Sequence, residues 1–374
     1  MDFSLTEVQA MLADSVDKYI ANEYDFETRQ AYAGSETGFS ADAWATMAEL
    51  GWTAVPFNEE DGGFGGGPVD VMVLMQHLAR GLVVEPYLAN VILAGGVLRR
   101  LANREQKSRW LAPMIGGELH ATLAFNEPQA RFDLASVSTT ALRDGDDWII
   151  NGHKGVVLNG DTADLVIVPA RTSGDSHDAL GISLFAVRAD ADGVSRVTYA
   201  TVDGLRAAEI RLDNVCVPAD ALLGQVDEGF TALDATIDEA TLAVCAEAVG
   251  IMQVLKDKTV DYSKNRVQFG VPIGSFQALQ HRMVDMLSAC EKAQSLLVWA
   301  VMTCAASGED AKRAVSSIKY LIGTDGRRLA EEAVQIHGGM GVTWELDVAH
   351  YFKRLIAIGT LFGNADYHLD KLAS

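Results

Sequence analysis

The apolar residues of this chain recur with one period at its two ends and with a different period in the middle. Residues 1 to about 118 show helical spacing, which starts with Val8, Met11, Leu12 and Val16. Side chains three and four positions apart lie on one face of a helix, so such a stripe marks the buried face. This first region is therefore predicted to be all-helical.

Two local signals refine the prediction for the helical N-terminal region. Ser4 and Glu7 have the spacing of a capping box, which predicts a helix N-terminus at this point. A glycine-rich segment at 61–68 interrupts the pattern before helical spacing resumes at 69–82 and 91–101. Because this segment lacks both GxGxxG spacing and a preceding strand, we interpret it as an interhelical loop and not as a phosphate loop.

From residue 120 to about 222 the pattern becomes that of a small all-β unit. Short apolar runs rich in β-branched residues are separated by turn residues. These runs lie at 121–125, 148–150, 165–168, 182–187 and 197–202. Asp144-Gly145-Asp146, which stands between two alternating segments, predicts a β-hairpin.

From about Gly229 to the C-terminus, long helical patterns return in three apolar stripes. The stripes are Leu242, Cys245, Val249, Met252 and Leu255; Leu279, Met283, Met286 and Cys290; and Ala311, Ala314, Ile318 and Leu321. They predict a four-helix bundle that also buries a face against another subunit. The chain is thus predicted to be an α+β protein with a helical domain at 1–118, a middle β-barrel or sandwich domain at 119–223 and a C-terminal helical bundle at 224–374.

Composition and charge exclude several classes of partner and site. Hydrophobic residues make up 49% of the 374 residues, and the formal net charge is −21 at pH 7. Nucleic acids and anionic membranes require a basic surface, so neither is an expected partner. The chain has no run of 18 apolar residues and no basic leader followed by an apolar run, so we expect a cytoplasmic protein. The four cysteines form no CxxC motif, so we expect reduced thiols and no metal site.

Two segments near the C-terminus exceed what helix packing requires. The first reads NRVQFGVPIGSFQALQ at 265–280, and the second reads QIHGGMG at 335–341. The first resembles the R-x-x-F-G-x-P-I-x-x-F-Q-x-x-Q signature of acyl-CoA dehydrogenases, and the second resembles the Q-x-x-G-G-x-G of the same family. Weaker similarities at 126–128 (NEP) and 148–154 (WIINGHK) extend the resemblance over essentially the whole chain.

The resemblance implies an FAD-dependent enzyme that desaturates an acyl-CoA thioester and passes electrons to an electron-transfer acceptor. It implies a cofactor-binding set of Arg266, Phe269, Gln277, Gln335, Gly338 and Gly339. The residue types suit this ligand, because an arginine fork binds phosphate through two parallel hydrogen bonds. Glycines let backbone N–H groups approach phosphate oxygens closely. His337, inside the glycine motif, is interpreted as structural and not as a proton-transfer residue.

The catalytic glutamate of the family has no counterpart at either of its two usual positions. Counting from Gly338-Gly339 to the family's E-G-T segment gives Phe362. Counting to the family's E-R pair, in the helix before the first motif, gives Ala240. A positioned general base contributes a factor of about 10²–10⁴ in rate. Because neither position has a carboxylate, the sequence does not identify the catalytic residue.

The middle domain departs from the family pattern as well. The hydroxyl residue that hydrogen-bonds the flavin in the family is Asn126 here, and the G-A-G-S-D loop is replaced by QARFD at 129–133. The family's W-I-[ST]-N-G reads VVLNG at 156–160. Val156 and Leu158 thus replace the tryptophan and the hydroxyl residue that contact the flavin ring in the family.

The retained and the lost residues fall into two groups. In the family each flavin lies between two subunits: the β domain and the base belong to one chain, and the two motif segments belong to its neighbour. This chain retains the group that serves a neighbour's flavin and has lost the group that serves its own. The pattern resembles the base-lacking small subunit of two-subunit acyl-CoA dehydrogenases of the pimeloyl-CoA and steroid side-chain type. It implies a heterotetramer with a homologous, base-bearing subunit.

Two other interpretations remain open. One is a self-sufficient homo-oligomeric dehydrogenase with a displaced base. Glu239 is the first candidate for this base, and Asp366 is the weaker one. Glu239 precedes Ala240 by one residue, a rotation of about 100° around a helix, which turns it away from the family position. The other is a structural pseudoenzyme that binds neither flavin nor thioester. The retained Arg266 and Gly338-Gly339 argue against this interpretation.

Overall fold

The computed structural model describes residues 4–306 and 310–373, and its elements run in the order helical, β, helical. The α+β class predicted from the sequence is confirmed. The chain divides into two compact units. The helical unit comprises the described residues up to Ala31, Gly67–Val83 and those from Thr241 onwards, and the sheet unit comprises Tyr32–Gly66 and Val84–Ala240. The domain boundaries at 118 and 223 stay predictions.

The α-helices are α1 (Glu7–Glu23), α2 (Phe26–Ala33), α3 (Ala41–Glu49), α4 (Pro68–Leu78), α5 (Gly95–Leu101), α6 (Arg104–Gln106), α7 (Ala112–Ile115), α8 (Phe230–Asn265), α9 (Gln277–Ala305), α10 (Asp310–Leu321), α11 (Arg327–His337), α12 (Asp347–Thr360) and α13 (Ala365–Ala373). Helix α1 begins with a capping box, but the prediction of Ser4 and Glu7 is wrong. The Thr6 hydroxyl accepts from the Gln9 N–H at 3.3 Å, and the Gln9 side chain accepts from the Thr6 N–H at 3.0 Å. The same motif recurs two residues later, and spacing alone does not choose between them.

The glycine-rich segment at 61–68 leads from a short 3₁₀ turn into α4, whose first helical residue is Pro68. A proline suits this position because its missing N–H has no intrahelical partner there. The interpretation as an interhelical loop is confirmed. The helix predicted at 91–101 begins earlier than its pattern indicates, because a fully buried π-helical segment, Leu88–Ala94, runs directly into α5.

The strands of the sheet unit are β1 (Ala121–Leu123), β2 (Thr140–Asp144), β3 (Asp147–Leu158), β4 (Leu165–Arg171), β5 (Ile182–Arg188), β6 (Val194–Ala200), β7 (Arg206–Val217) and β8 (Leu222–Leu223). They form one mixed sheet in the order β6-β7-β3-β2-β4-β5-β8, and β1 pairs with β4 in parallel. The predicted hairpin is confirmed: Asp144 lies opposite Asp147, and Gly145 turns the chain at φ 62°.

Three strands of the sheet, β2, β7 and the two-residue β8, lie outside the apolar runs that the sequence predicts. Strand β2 buries only Ala141 of its five residues, so it carries almost no apolar signal. Strand β7 alternates buried and exposed positions over 210–213 and again over 215–217, with a shift at Asn214 that interrupts the pattern. The sheet unit has an apolar core in which the rings of Trp148 and Phe185 meet edge to face at 5.3 Å. This core fixes β3, whose far end carries Val156 and Leu158.

In the helical unit α10 packs against α9 and α13, and α11 packs against α12. The predicted stripe on α8, from Leu242 to Leu255, is buried at all five of its positions. On α9, Met286 and Cys290 are buried, whereas the two earlier members of that stripe are half-buried. A two-stranded hairpin, β9 (Val267–Gln268) and β10 (Val271–Pro272), joins α8 to α9.

The four cysteines are free thiols, of which Cys245 and Cys290 are buried, whereas Cys216 is exposed and Cys304 is half-buried. Burial raises the pKa of Cys245 and of Cys290 to about 12, so neither is a thiolate at neutral pH. Among the helices of the described residues, none is both long and apolar enough to cross a lipid bilayer.

Candidate functional site

Arg266 follows the last residue of α8 and presents a free guanidinium. Its backbone is held by two hydrogen bonds, from its N–H to the Tyr262 carbonyl at 2.8 Å and from the Ile273 N–H to its own carbonyl at 2.8 Å. The side chain is exposed and makes no hydrogen bond or ion pair with any residue that the structure describes. In a chain with 51 acidic residues, an arginine without a carboxylate partner is a cation available to a ligand.

Phe269 is displayed at the tip of the β9–β10 hairpin. Phe269 and Gly270 form its two-residue turn with φ values of 54° and 83°, and the Phe269 side chain is 92% exposed. A positive φ is costly for a bulky residue, and such strain concentrates at binding sites. Its ring meets Phe276 edge to face at 6.2 Å. Gln277, also exposed, is the first residue of α9.

The glycine motif forms an open turn at the C-terminus of α11. Gly338 has φ 61° and ψ −142°, a conformation that is essentially restricted to glycine. A Cβ atom at Gly338 or Gly339 would meet nothing within 4 Å, so the space beside both backbones is open to a ligand. Gln335 lies exposed in the last turn of the same helix.

Tyr262 is a residue of this region that the sequence analysis missed. Its ring stacks on that of His337 at 4.3 Å and 29°, and its hydroxyl donates to the His337 carbonyl at 3.4 Å. Within the helical unit, this contact connects the segment that contains Arg266 to the glycine turn. The donor chemistry on this surface, a free guanidinium and open glycine N–H groups, fits the diphosphate of a dinucleotide.

The two positions at which the sequence predicts that the catalytic base is missing are apolar and buried. Ala240 lies inside α8 with no exposed surface, and Phe362 is 8% exposed. Phe362 follows α12 in a turn at φ 57°. Neither position offers a group that accepts a proton.

Glu239, in the sheet unit, is engaged by two arginines. Arg99 and Arg100 each donate to one of its carboxylate oxygens. The two arginines are anchored further by donation to the carbonyls of Pro56 at 2.9 Å and Gly96 at 2.8 Å. Asp366, the weaker candidate, lies exposed in the first turn of α13.

A second carboxylate of α8, Glu247, also escaped the sequence analysis. It lies seven residues after Ala240, about 10 Å further along the helix. Arg354 of α12 donates to both of its oxygens, from Nε at 2.5 Å and from Nη2 at 2.7 Å. The pair is buried in the helical unit, so Glu247 is held as an ion-pair partner.

Two buried basic side chains hold the turn that contains Phe362. Lys319 donates to the Gly363 carbonyl at 2.6 Å and to the Gly359 carbonyl at 3.3 Å. Burial lowers the pKa of Lys319 to about 8. His368 Nε2 donates to the Phe362 carbonyl at 3.1 Å, and burial beside Lys319 lowers the pKa of His368 to about 4.

At the three positions of the sheet unit where the resemblance places contacts to a flavin ring, one side chain is hydrogen-bonded within the unit, one is buried and one is exposed. The Asn126 amide donates to the Gly155 carbonyl at 3.3 Å. Leu158 is buried, and its carbonyl accepts from the Thr122 hydroxyl at 2.6 Å. Val156 follows Gly155 on a bulge of β3. It has φ 50°, and its side chain is 45% exposed.

The loop at 129–133 is closed at its base by Glu127. This buried carboxylate accepts from Lys154 Nζ at 2.6 Å, from the Ser138 N–H at 2.8 Å and from Gln129 Nε2 at 2.7 Å. Burial opposes its ionisation, but the Lys154 ammonium outweighs that effect and lowers the pKa of Glu127 to about 2. The Gln129 amide is used inside the loop and is not directed to a ligand.

Family models cover nearly all of the chain. The acyl-CoA dehydrogenase N-terminal domain matches residues 6–118, the middle domain matches 122–215 and the C-terminal domain matches 227–374. A probable acyl-CoA dehydrogenase of Bacillus subtilis, YngJ, is 32% identical over 367 residues, which is 96% of each chain.

Two solved structures extend the comparison. The ChsE4–ChsE5 complex from Mycobacterium tuberculosis matches with a TM-score of 0.90 and 26% identity, over 100% of this chain and 98% of the other. The FAD complex of PigA matches with a TM-score of 0.92 and 25% identity, over 100% and 98%. The chain therefore belongs to the acyl-CoA dehydrogenase family of oxidoreductases, whose cofactor is FAD.

Proposed function

We propose that this chain is the base-lacking subunit of a two-subunit, FAD-dependent acyl-CoA dehydrogenase. Its Arg266, Phe269, Gln277, Gln335 and Gly338-Gly339 complete the FAD site of a homologous partner. The partner supplies the catalytic glutamate and the β-domain contacts to the flavin ring. The active species is a heterotetramer with two copies of each subunit.

The observation that carries this proposal is a contrast between two groups of residues. In the group that serves a neighbour's cofactor, the Arg266 guanidinium is free among the described residues, and the Gly338–Gly339 backbone is open. In the group that would serve the chain's own cofactor, Asn126 is occupied by a hydrogen bond and Leu158 is buried. Random loss of residues would not separate the two groups in this way.

The engagement of the nearby carboxylates also supports a subunit without its own base. Glu239 is paired with Arg99 and Arg100, and Glu247 is paired with Arg354. A general base needs a free carboxylate within hydrogen-bond reach of the proton that it removes. Removing Glu239 from its two arginines would leave those charges unpaired, which disfavours the reading in which Glu239 replaces the missing base.

The expected reaction is the α,β-desaturation of an acyl-CoA thioester. When bound, FAD supplies the hydride acceptor, and the electrons then leave to an electron-transfer acceptor. This chain contributes binding: Arg266 neutralises diphosphate charge, and the glycine N–H groups hold phosphate or ribose oxygens. The similarity to the ChsE4–ChsE5 complex is consistent with a family architecture in which two different chains assemble.

Co-expression with the product of a neighbouring acyl-CoA dehydrogenase gene tests the proposal. We expect the chain alone to hold little or no FAD and to show no dehydrogenase activity. With its partner it should form a heterotetramer with about one FAD per pair of unlike chains. Flavin absorbance after gel filtration and acceptor reduction with a panel of acyl-CoA thioesters measure both. A yellow, active homotetramer with one FAD per chain would contradict the proposal and support the homo-oligomeric interpretation.

A further inference from the structure

The two segments that carry the proposed phosphate-binding residues meet through one pair of aromatic rings. Tyr262 lies in the last turn of α8, four residues before Arg266, and His337 is the last residue of α11, next to Gly338. Their ring centroids are 4.3 Å apart with 29° between the planes. Although the residues are 75 positions apart in sequence, the Tyr262 hydroxyl also donates to the His337 carbonyl at 3.4 Å.

We propose that Tyr262 and His337 are positioning residues for the cofactor. Their stack fixes the separation between the Arg266 guanidinium and the backbone donors of Gly338 and Gly339, so that both reach one diphosphate. This inference rests on the proposed function, in which those groups bind FAD.

Each ring is tied rigidly to the segment that it positions. The Tyr262 carbonyl accepts from the Arg266 N–H at 2.8 Å, so a shift of Tyr262 moves the start of the Arg266 segment directly. On the other side, His337 Nδ1 lies 2.8 Å from the Ala333 carbonyl, which can only accept, so Nδ1 carries the proton. His337 is buried, and Gly338 follows it immediately.

The protonation of His337 suits this role. Burial lowers its pKa below the ordinary histidine value, so the ring is neutral at neutral pH. A neutral ring stacks against the phenol without placing a second positive charge near Arg266. The stack therefore sets geometry and leaves the charge of the site to the arginine.

An ion pair joins α9 to α11, the helix that ends with His337. Arg282 of α9 pairs with Glu332 of α11, one helical turn before Gln335. Helix α9 begins with Gln277, so the two proposed glutamine ligands lie on helices that are joined by an ion pair. Ligand groups must be held within about 0.5 Å of their productive positions to act together, and the ring stack joins residues that adjoin both proposed phosphate-binding segments.

Replacing each ring tests the proposal in the complex with the base-bearing subunit. Tyr262→Leu and His337→Leu remove the stack, whereas Tyr262→Phe and His337→Phe keep a ring and remove its polar atoms. The Kd of the apo complex for FAD is measured by flavin fluorescence titration. We expect each Leu variant to raise this Kd about tenfold or more, and each Phe variant to change it less than about threefold. Tyr19→Leu, which removes a ring of the Tyr19–Tyr24 pair at the C-terminal end of α1, is the matched control and should leave the Kd unchanged.

A double-variant cycle separates positioning from general loss of stability. If Tyr262 acts through Arg266, adding Tyr262→Leu to Arg266→Ala should raise the Kd by less than about threefold beyond Arg266→Ala alone. Full additivity, or Leu variants that bind FAD as tightly as the parent, would overturn the inference. Should a Tyr262 variant not fold, His337→Leu provides the same cycle from the other ring. An Arg266→Ala variant with unchanged FAD affinity would instead remove Arg266 from the proposed phosphate-binding group, and a yellow, active homotetramer of this chain would refute the proposed function itself.

Discussion

Arg354 of α12 donates to both carboxylate oxygens of Glu247 of α8, at 2.5 and 2.7 Å, inside the helical unit. Both residues lie outside the two motifs at 265–280 and 335–341. The pair joins α8 to α12, the helix that precedes Phe362.

Breaking this pair should destabilise the chain strongly. Glu247→Gln removes the carboxylate charge that accepts both hydrogen bonds from the buried Arg354 guanidinium, at an expected cost of about 3–5 kcal/mol in the free energy of unfolding. Asp14→Asn removes a carboxylate from the exposed Asp14–Lys18 pair and should cost less than about 1 kcal/mol. Urea denaturation monitored by circular dichroism compares the two. Equal effects in both variants would mean that the buried pair contributes no more than a surface contact.

Arg266→Ala should weaken FAD retention in the active assembly. A charge-assisted hydrogen bond contributes about 1.5–3 kcal/mol, so FAD affinity should fall about tenfold or more. The control is Arg211→Ala, which removes an exposed guanidinium from strand β7. Flavin absorbance per chain after gel filtration reports the result. Full flavin occupancy in the Arg266 variant would remove Arg266 from the proposed phosphate-binding group.

Glu239→Gln should leave turnover of the active complex within a few-fold of the parent. The carboxylate is committed to Arg99 and Arg100, and the family position falls on Ala240 instead. Loss of a true general base lowers the rate by about 10²–10⁴. Acceptor reduction at saturating acyl-CoA, with flavin content measured in parallel, gives the comparison. A rate loss of that size with FAD still bound would identify Glu239 as the base.

The helical unit should lose stability in mild acid because of His368. Its pKa is lowered to about 4 in the folded chain, by burial and by Lys319, whereas an unfolded histidine titrates near 6.5. The unfolded chain therefore binds the proton first, and the contribution of this group falls as the pH decreases from 6.5 to 4. The loss amounts to at most about 3 kcal/mol.

His368→Gln retains an amide donor for the Phe362 carbonyl and has no proton to gain. The difference in unfolding free energy between parent and variant should hence change between pH 6.5 and 4 and stay constant from pH 7 to 8. A difference that does not vary over the acid range would show that His368 is not held neutral by the fold.

The order of the structural elements and the family could be predicted from the sequence, because the signals for both are local. The helical and β periods depend on neighbouring residues, and they predicted the α–β–α order and the hairpin at Asp144–Asp146. The two motifs near Arg266 and Gly338 are contiguous runs, and they indicated the family and FAD. The absence of a carboxylate at the positions of Ala240 and Phe362 is likewise a matter of counting along the chain.

Only the tertiary structure decided which side chains are free and which are engaged. Tyr262 meets His337 across 75 residues, Glu247 meets Arg354 across 107, and Glu239 meets Arg99 across 140. Such pairs depend on how helices pack, and no local period encodes their partners. The same fold places no carboxylate of residues 4–306 and 310–373 in an ion pair with Arg266, although the chain carries 51 acidic residues. The sequence determined which chemical groups this protein has, and packing determined which of them remain available to a ligand.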